Sequence, residues 1–175
     1  QPHFEGLETA FLQLSFAIKL WYYFDTNRFD KELFDIPLTI QNAAGTVCLP
    51  HNEFATFDHL LVATENNISI CFGAAAITLW EALKERNGCN PPTMDPNHSP
   101  DEMLASLSYM LRCCFAHGTA VPRWQINEKY RVVYKVGNKS IDLKDVDGLP
   151  FEYSAIDGFE TLWLLRADAQ ARGML

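Results

Sequence analysis

Ser99-Pro100-Asp101-Glu102-Met103-Leu104-Ala105-Ser106-Leu107-Ser108-Tyr109-Met110-Leu111-Arg112-Cys113-Cys114-Phe115-Ala116-His117-Gly118 is the stretch that decides the fold. It begins as helices begin. Ser99 is a capping residue, Pro100 takes the first turn, where its missing N–H costs nothing, and Glu102 completes a capping box. Met103, Leu104, Leu107, Leu111, Cys114 and Phe115 then form one apolar face at three- and four-residue steps. Gly118 supplies the stop, immediately after His117.

Two further amphipathic segments lie upstream. Leu7, Ala10, Phe11, Leu14, Ala17, Ile18, Trp21 and Phe24 predict a helix over residues 5–25, with a short helical turn near 29–34. Phe54, Phe57, Leu61, Thr64, Ile68, Phe72, Ala75, Leu79 and Ala82 keep a 3.6-residue period through 52–86. Asn66-Asn67 and Gly73 weaken that stretch, so it reads as one long helix or two collinear ones, with Gly88 as its stop. Pro91, Pro92 and Pro96 mark a loop over 88–99.

Shorter runs read as strands. Leu38-Thr39-Ile40 and Thr46-Val47-Cys48-Leu49 flank the turn chemistry of residues 42–45. Tyr130 to Val136 and Ser140 to Leu143 flank Gly137-Asn138, a hairpin signature. Trp124-Gln125-Ile126-Asn127 also alternates, and Asp147-Gly148-Leu149-Pro150 reads as a turn. A closing helix is expected from Ser154 to about Ala171. The expected architecture is a mainly α-helical bundle with small β-hairpin additions, organised as a single domain over residues 1–175.

Composition narrows the function. The chain has 175 residues, of which 48% are hydrophobic and 13% aromatic, a globular balance. With 22 acids against 14 Lys and Arg, the net charge is −8, which argues against non-specific coating of nucleic acid or anionic membrane. A local basic site is compatible with it. The longest nearly charge-free stretch, Asn66 to Trp80, is 15 residues, shorter than the ~20 a membrane span needs. Gln1-Pro2-His3-Phe4-Glu5 lacks the look of a signal peptide. Cys48, Cys71, Cys89, Cys113 and Cys114 are odd in number and form no C-x-x-C pair, so reduced thiols and a cytoplasmic location are expected.

Chemistry concentrates in Arg112-Cys113-Cys114-Phe115-Ala116-His117. This segment resembles the R-x4-H motif of the HEPN superfamily, in its spacing, its place at the end of the third long helix, and the Pro122-Arg123-Trp124 stretch that follows. The resemblance spans residues 5–171 and implies a HEPN-like helical fold. It implies a homodimer in which the motifs of two protomers share one cleft, and metal-independent RNA cleavage by 2′-hydroxyl attack on the adjacent phosphate. One departure is Cys113, where nuclease members usually carry a polar residue, most often Asn. It also implies roles. His117 is the general acid/base, because imidazole titrates near neutrality. Arg112 holds the scissile phosphate through its planar fork.

On an ideal helix five steps separate two side chains by ~140° and ~7.5 Å. A shared dimer site or a helix break at His117-Gly118 relieves that separation. A toxin class of the superfamily carries a Tyr two positions after the motif His. Thr119 stands there here, so that form of regulation is not expected.

Arg123, Trp124 and Lys129 read as candidate RNA contacts, with Trp124 stacking a base or packing as a strand residue. Cys113-Cys114 reads as one core and one groove cysteine, or as a redox pair. His51, Asp58 and His59 form a weak metal pattern, and no metal or cofactor is expected. No Gly-rich phosphate loop is present, since Gly73-Ala74-Ala75-Ala76 lacks the Lys-Ser/Thr continuation. The expected function is RNA cleavage or RNA binding as a homodimer, with a regulatory protein partner. The alternatives are a non-catalytic helical interaction module and a binder of a small molecule between the helices.

Overall fold

The computed structural model describes residues 6–49, 54, 56–88 and 99–175. Among these residues five helices run in chain order: α1 (Gly6–Asp25), α2 (Lys31–Phe34), α3 (Phe57–Asn87), α4 (Pro100–Ala116) and α5 (Glu160–Ala171). Two antiparallel hairpins interrupt them. One pairs β1 (Leu38–Asn42) with β2 (Gly45–Leu49), and the other pairs β3 (Val133–Val136) with β4 (Lys139–Asp142). The protein is therefore mainly α-helical with two small β-additions.

The upstream stripe folds as one helix. Ile68, Phe72, Ala75, Leu79 and Leu83 are buried at steps of four and three, so a single face of α3 stays in phase through Gly73. α3 is long and apolar enough, by length and composition, to cross a membrane. Here its stripe packs on α1 through Phe11, Leu14 and Ala17, and on α4 through Leu104, Leu107, Leu111 and Phe115. Gly88 ends α3 in the left-handed conformation expected of a stop, with φ 62°. The predicted proline-rich loop lies outside the described residues from 89 to 98.

α4 is capped as its sequence requires. Glu102 N–H donates to Ser99 Oγ at 3.2 Å, and Ser99 N–H donates back to Glu102 Oε2 at 3.0 Å. From Leu104 to Ser108 every residue is buried, more than one apolar face would supply. The second hairpin and its flanking loops cover the far side of this helix. Packing is close at Gly73. A Cβ there would lie 2.6 Å from Cδ1 of Phe115, whose ring is fully buried. A glycine costs a helix about 1 kcal/mol in propensity, and here it lets the Phe115 ring reach the backbone of α3.

Three elements differ from expectation. Residues 124–127 alternate in burial but form no regular strand. Arg123 bridges Pro150 alone, and the two flanking prolines, Pro122 and Pro150, cannot donate to extend a ladder. Tyr130 belongs to a 3-10 turn (Glu128–Tyr130) rather than to β3. The closing helix does not begin at Ser154. A 3-10 turn covers Tyr153–Ile156, then Asp157 and Gly158 take positive φ, 58° and 98°, and α5 starts only at Glu160. The left-handed pair reverses the chain and interrupts the apolar period.

The first hairpin stands apart. Cross-strand pairing puts Leu38 opposite Leu49 and Ile40 opposite Val47, on one apolar face. All four are 41–49% exposed. The second hairpin is anchored instead. Lys139 Nζ bonds Glu160 Oε1 at 2.9 Å and lies 3.4 Å from Asp157 Oδ2, tying β4 to the start of α5.

Replacing Gly73 with Ala should lower the thermal midpoint by a few degrees, because overpacking of about 1–3 kcal/mol outweighs the propensity gain of about 1. A midpoint equal to or above that of the wild type would show that Phe115 has room to move. The Lys139–Glu160 pair carries a pH signature. Glu160 is held below its ordinary value of 4.5 by a hydrogen bond from its own backbone and by Lys139. Its contribution is therefore present above pH 4.5 and is lost as pH falls through the lowered value. Comparing acid titrations of wild type and Lys139→Met by circular dichroism should show a weaker dependence over that window in the variant.

Candidate functional site

The C-terminal turns of α4 form one wall of an open groove of about 560 Å³. Tyr109, Arg112 and Cys113 share a face because they sit at i, i+3 and i+4. His117 joins them at the helix end. It is the C-cap, with φ −108° and ψ −2°, and the next residue, Gly118, donates its backbone N–H to Phe115 O at 3.4 Å. α4 ends at Ala116, and the Arg112 and His117 side chains line one groove.

The opposite wall is the segment from Trp124 to Glu128 together with Arg131 and the Asp147-Gly148 turn. Asp147 holds it. Its Oδ1 accepts from Ile126 N–H at 2.8 Å, and its Oδ2 from Arg131 Nη2 at 2.5 Å. Arg131 Nε also donates to Ile126 O at 3.3 Å. This clamp neutralises Arg131 within the protein.

Arg112 is different. Its guanidinium is half-buried, and it has no hydrogen bond or ion pair among the described residues. The exposed imidazole of His117 likewise has none among them. By contrast, Arg131, Arg166 and Arg172 are bound to Asp147, Glu8 and the Asp101–Asp168 pair. A guanidinium that no carboxylate engages is open to an external anion. Glu128 also lines the groove, so its anion-accepting character is local to Arg112 and His117.

Tyr109 completes the wall. Its ring lies 5.0 Å from that of Trp80 and 5.7 Å from that of Tyr130. Burial, reinforced by the Cys113 thiol and Tyr130 and opposed by Arg112, pushes its hydroxyl up to about 12. It therefore stays a neutral donor and acceptor across the physiological range. The vicinal cysteines divide as one of their two readings expects. Cys114 is buried, its thiol pushed up to about 12 chiefly by burial, whereas Cys113 lines the groove. Both are free thiols.

The remaining predicted contacts fare unevenly. Arg123 is exposed beside the groove and donates to Gly148 O at 3.2 Å. Trp124 is only 1% exposed, its ring 5.4 Å from that of Phe151, so it packs as a core residue and presents no open face for a base to stack on. Lys129 is exposed and lies 4.8 Å over the Tyr130 ring, away from the groove wall. His51 lies outside the described residues. Asp58 and His59 sit exposed on the first turn of α3, and among the described residues no three His, Cys, Asp or Glu side chains converge.

Sequence reasoning missed Tyr109, Arg131 and Asp147. Tyr109 was available as the i−3 neighbour of Arg112. The Asp147 clamp spans 21 residues to Ile126 and has no local signal. No family model matches the chain, no curated protein matches it, and no solved structure matches it.

The clamp and the open pair should behave oppositely on mutation. Arg112→Ala and His117→Ala break no bond among the described residues and should change stability by no more than about 0.5 kcal/mol. Asp147→Ala strands a backbone N–H and a guanidinium and should cost about 1–3 kcal/mol. Denaturant melts of the three variants would test this, and a large loss in either of the first two would make those residues structural.

Proposed function

We propose that the protein is a HEPN-like RNA-binding protein of the cytoplasm that cleaves RNA without a metal and works as a homodimer. The observation that supports this most is the half-buried Arg112 beside His117, both open to one groove and both without a partner among the described residues. Arg112 holds the scissile phosphate and offsets the charge that builds on it. His117 removes the proton from the 2′-hydroxyl as that oxygen attacks phosphorus. The P–O5′ bond breaks, and the leaving oxygen takes up a proton. The products are a 2′,3′-cyclic phosphate and a 5′-hydroxyl, with no net change in atoms or charge. A second protomer places its own motif across the groove, and a regulatory protein partner fits the same scheme. Cys113 after the Arg leaves the phosphate site without the amide that an Asn would add.

A second reading, a non-catalytic interaction module, is favoured by a separate observation. The apolar face of the β1–β2 hairpin is exposed, and such a face is typical of a docking surface.

Incubating the protein with mixed single-stranded RNA in EDTA, beside an Arg112→Ala, His117→Ala double variant, separates the readings. Cleavage with cyclic phosphate ends by the wild type only is the expected result. Loss of activity should amount to at least 10²-fold, the usual contribution of one positioned acid/base group. Equal cleavage by both proteins would remove the pair from the chemistry. Absence of cleavage by either would favour the interaction module.

A further inference from the structure

A second cleft, on other elements than the groove, is lined by Trp21 of α1, Glu65 and Ile68 of α3, Tyr153 of the 3-10 turn and Phe159 at the start of α5. Its volume is about 320 Å³, at the small end of ligand sites, which run from roughly 300 to 1,000 Å³. Three aromatic side chains, each from a different element, make its walls. The Tyr153 and Phe159 rings lie 4.0 Å apart at a tilt of 41°, and Ile68, 4% exposed, closes the floor. At the rim stands Glu65, exposed and with no hydrogen bond or ion pair among the described residues. Three acids on these helices are engaged, Glu8 with Arg166, Glu81 with Lys84 and Glu160 with Lys139, and Glu65 is not.

We propose that this cleft binds the head of a small organic cation bearing a methylated ammonium group. The chemistry of the lining selects that class. Aromatic faces attract a cation through their negative quadrupole, and a carboxylate at the rim supplies the counter-charge. A primary ammonium or a guanidinium needs several hydrogen-bond acceptors, and among the lining side chains only Glu65 presents one to solvent, the Tyr153 hydroxyl and the Trp21 indole N–H being buried. Methyl groups on the nitrogen need none and fill apolar walls. An anion is disfavoured by Glu65. Burial pushes the Tyr153 hydroxyl up to about 12, so the tyrosine adds no charge of its own near neutrality. The volume fits a head group and a short tail, which points to a free small molecule.

Titration of the protein with choline, tetramethylammonium and 3,3-dimethyl-1-butanol, the neutral isostere of choline, tests the assignment by NMR of the indole N–H signals. Both cations should bind saturably and shift the Trp21 signal, with the neutral alcohol at least about tenfold weaker, the scale of a desolvated cation–π contact. Glu65→Gln, an exposed change that keeps the fold, should weaken choline several-fold and leave the alcohol unchanged. Equal affinity for choline and the alcohol would reduce the cleft to an apolar crevice. Absence of saturable binding would overturn the proposal. Tighter binding of a trimethyllysine peptide than of choline would overturn the small-molecule assignment in favour of a protein ligand. Glu65 is outside the groove, so RNA cleavage by Glu65→Gln should equal that of the wild type whichever result is obtained.

Discussion

Phe115 meets the backbone of α3 at Gly73, and much of the molecule is arranged around that approach. The ring is fully buried, with Phe72 5.5 Å away on α3 and Phe151 4.8 Å away beyond the second hairpin. Three parts of the chain thus share one aromatic contact. Phe115 lies two residues before His117, so the last turn of α4 carries both a core contact and a groove residue.

The groove divides its charges unequally. Arg131 is tied by Asp147, which also holds the Ile126 backbone, so that wall is built from bonds satisfied inside the protein. Arg112 and His117 stand opposite, with no such bond among the described residues. The overall charge of −8 sets a further condition. The field of the whole protein does not draw a polyanion in, so attraction for an anion at this end of α4 is short-range.

Around this centre the chain is built to different standards. The second hairpin is bonded to α5 and shares the main core, whereas the first hairpin presents its apolar face outward. A two-stranded hairpin is marginal by itself in water, so the exposed Leu38, Ile40, Val47 and Leu49 are the part of the fold that most needs something further to bury it. The aromatic cleft around Trp21 is different in kind: its walls come from α1, α3, the 3-10 turn and the start of α5, all packed on the core, and Glu65 is its one exposed residue.

What the sequence by itself determined is what local physics controls. The capping box of α4 lies within four residues, so Ser99 and Glu102 announced it. The three long helices followed from apolar periodicity, and the turns at Gly137 and Gly88 from backbone conformations that glycine favours. Arg112 and His117 were legible as a spacing at a helix end. Tertiary structure decided what depends on residues distant in sequence. Alternation at Trp124 and Ile126 predicted a buried face, but only the pairing with residues 147–151 showed that no ladder forms and that the Trp124 ring is enclosed. The start of α5 depended on Asp157 entering the left-handed region, which an aspartate does only when its surroundings require it. The Asp147 clamp and the cleft of Trp21, Glu65, Tyr153 and Phe159 join side chains from separate elements. Periodicity reports which face of an element is buried, and never which other element it will meet.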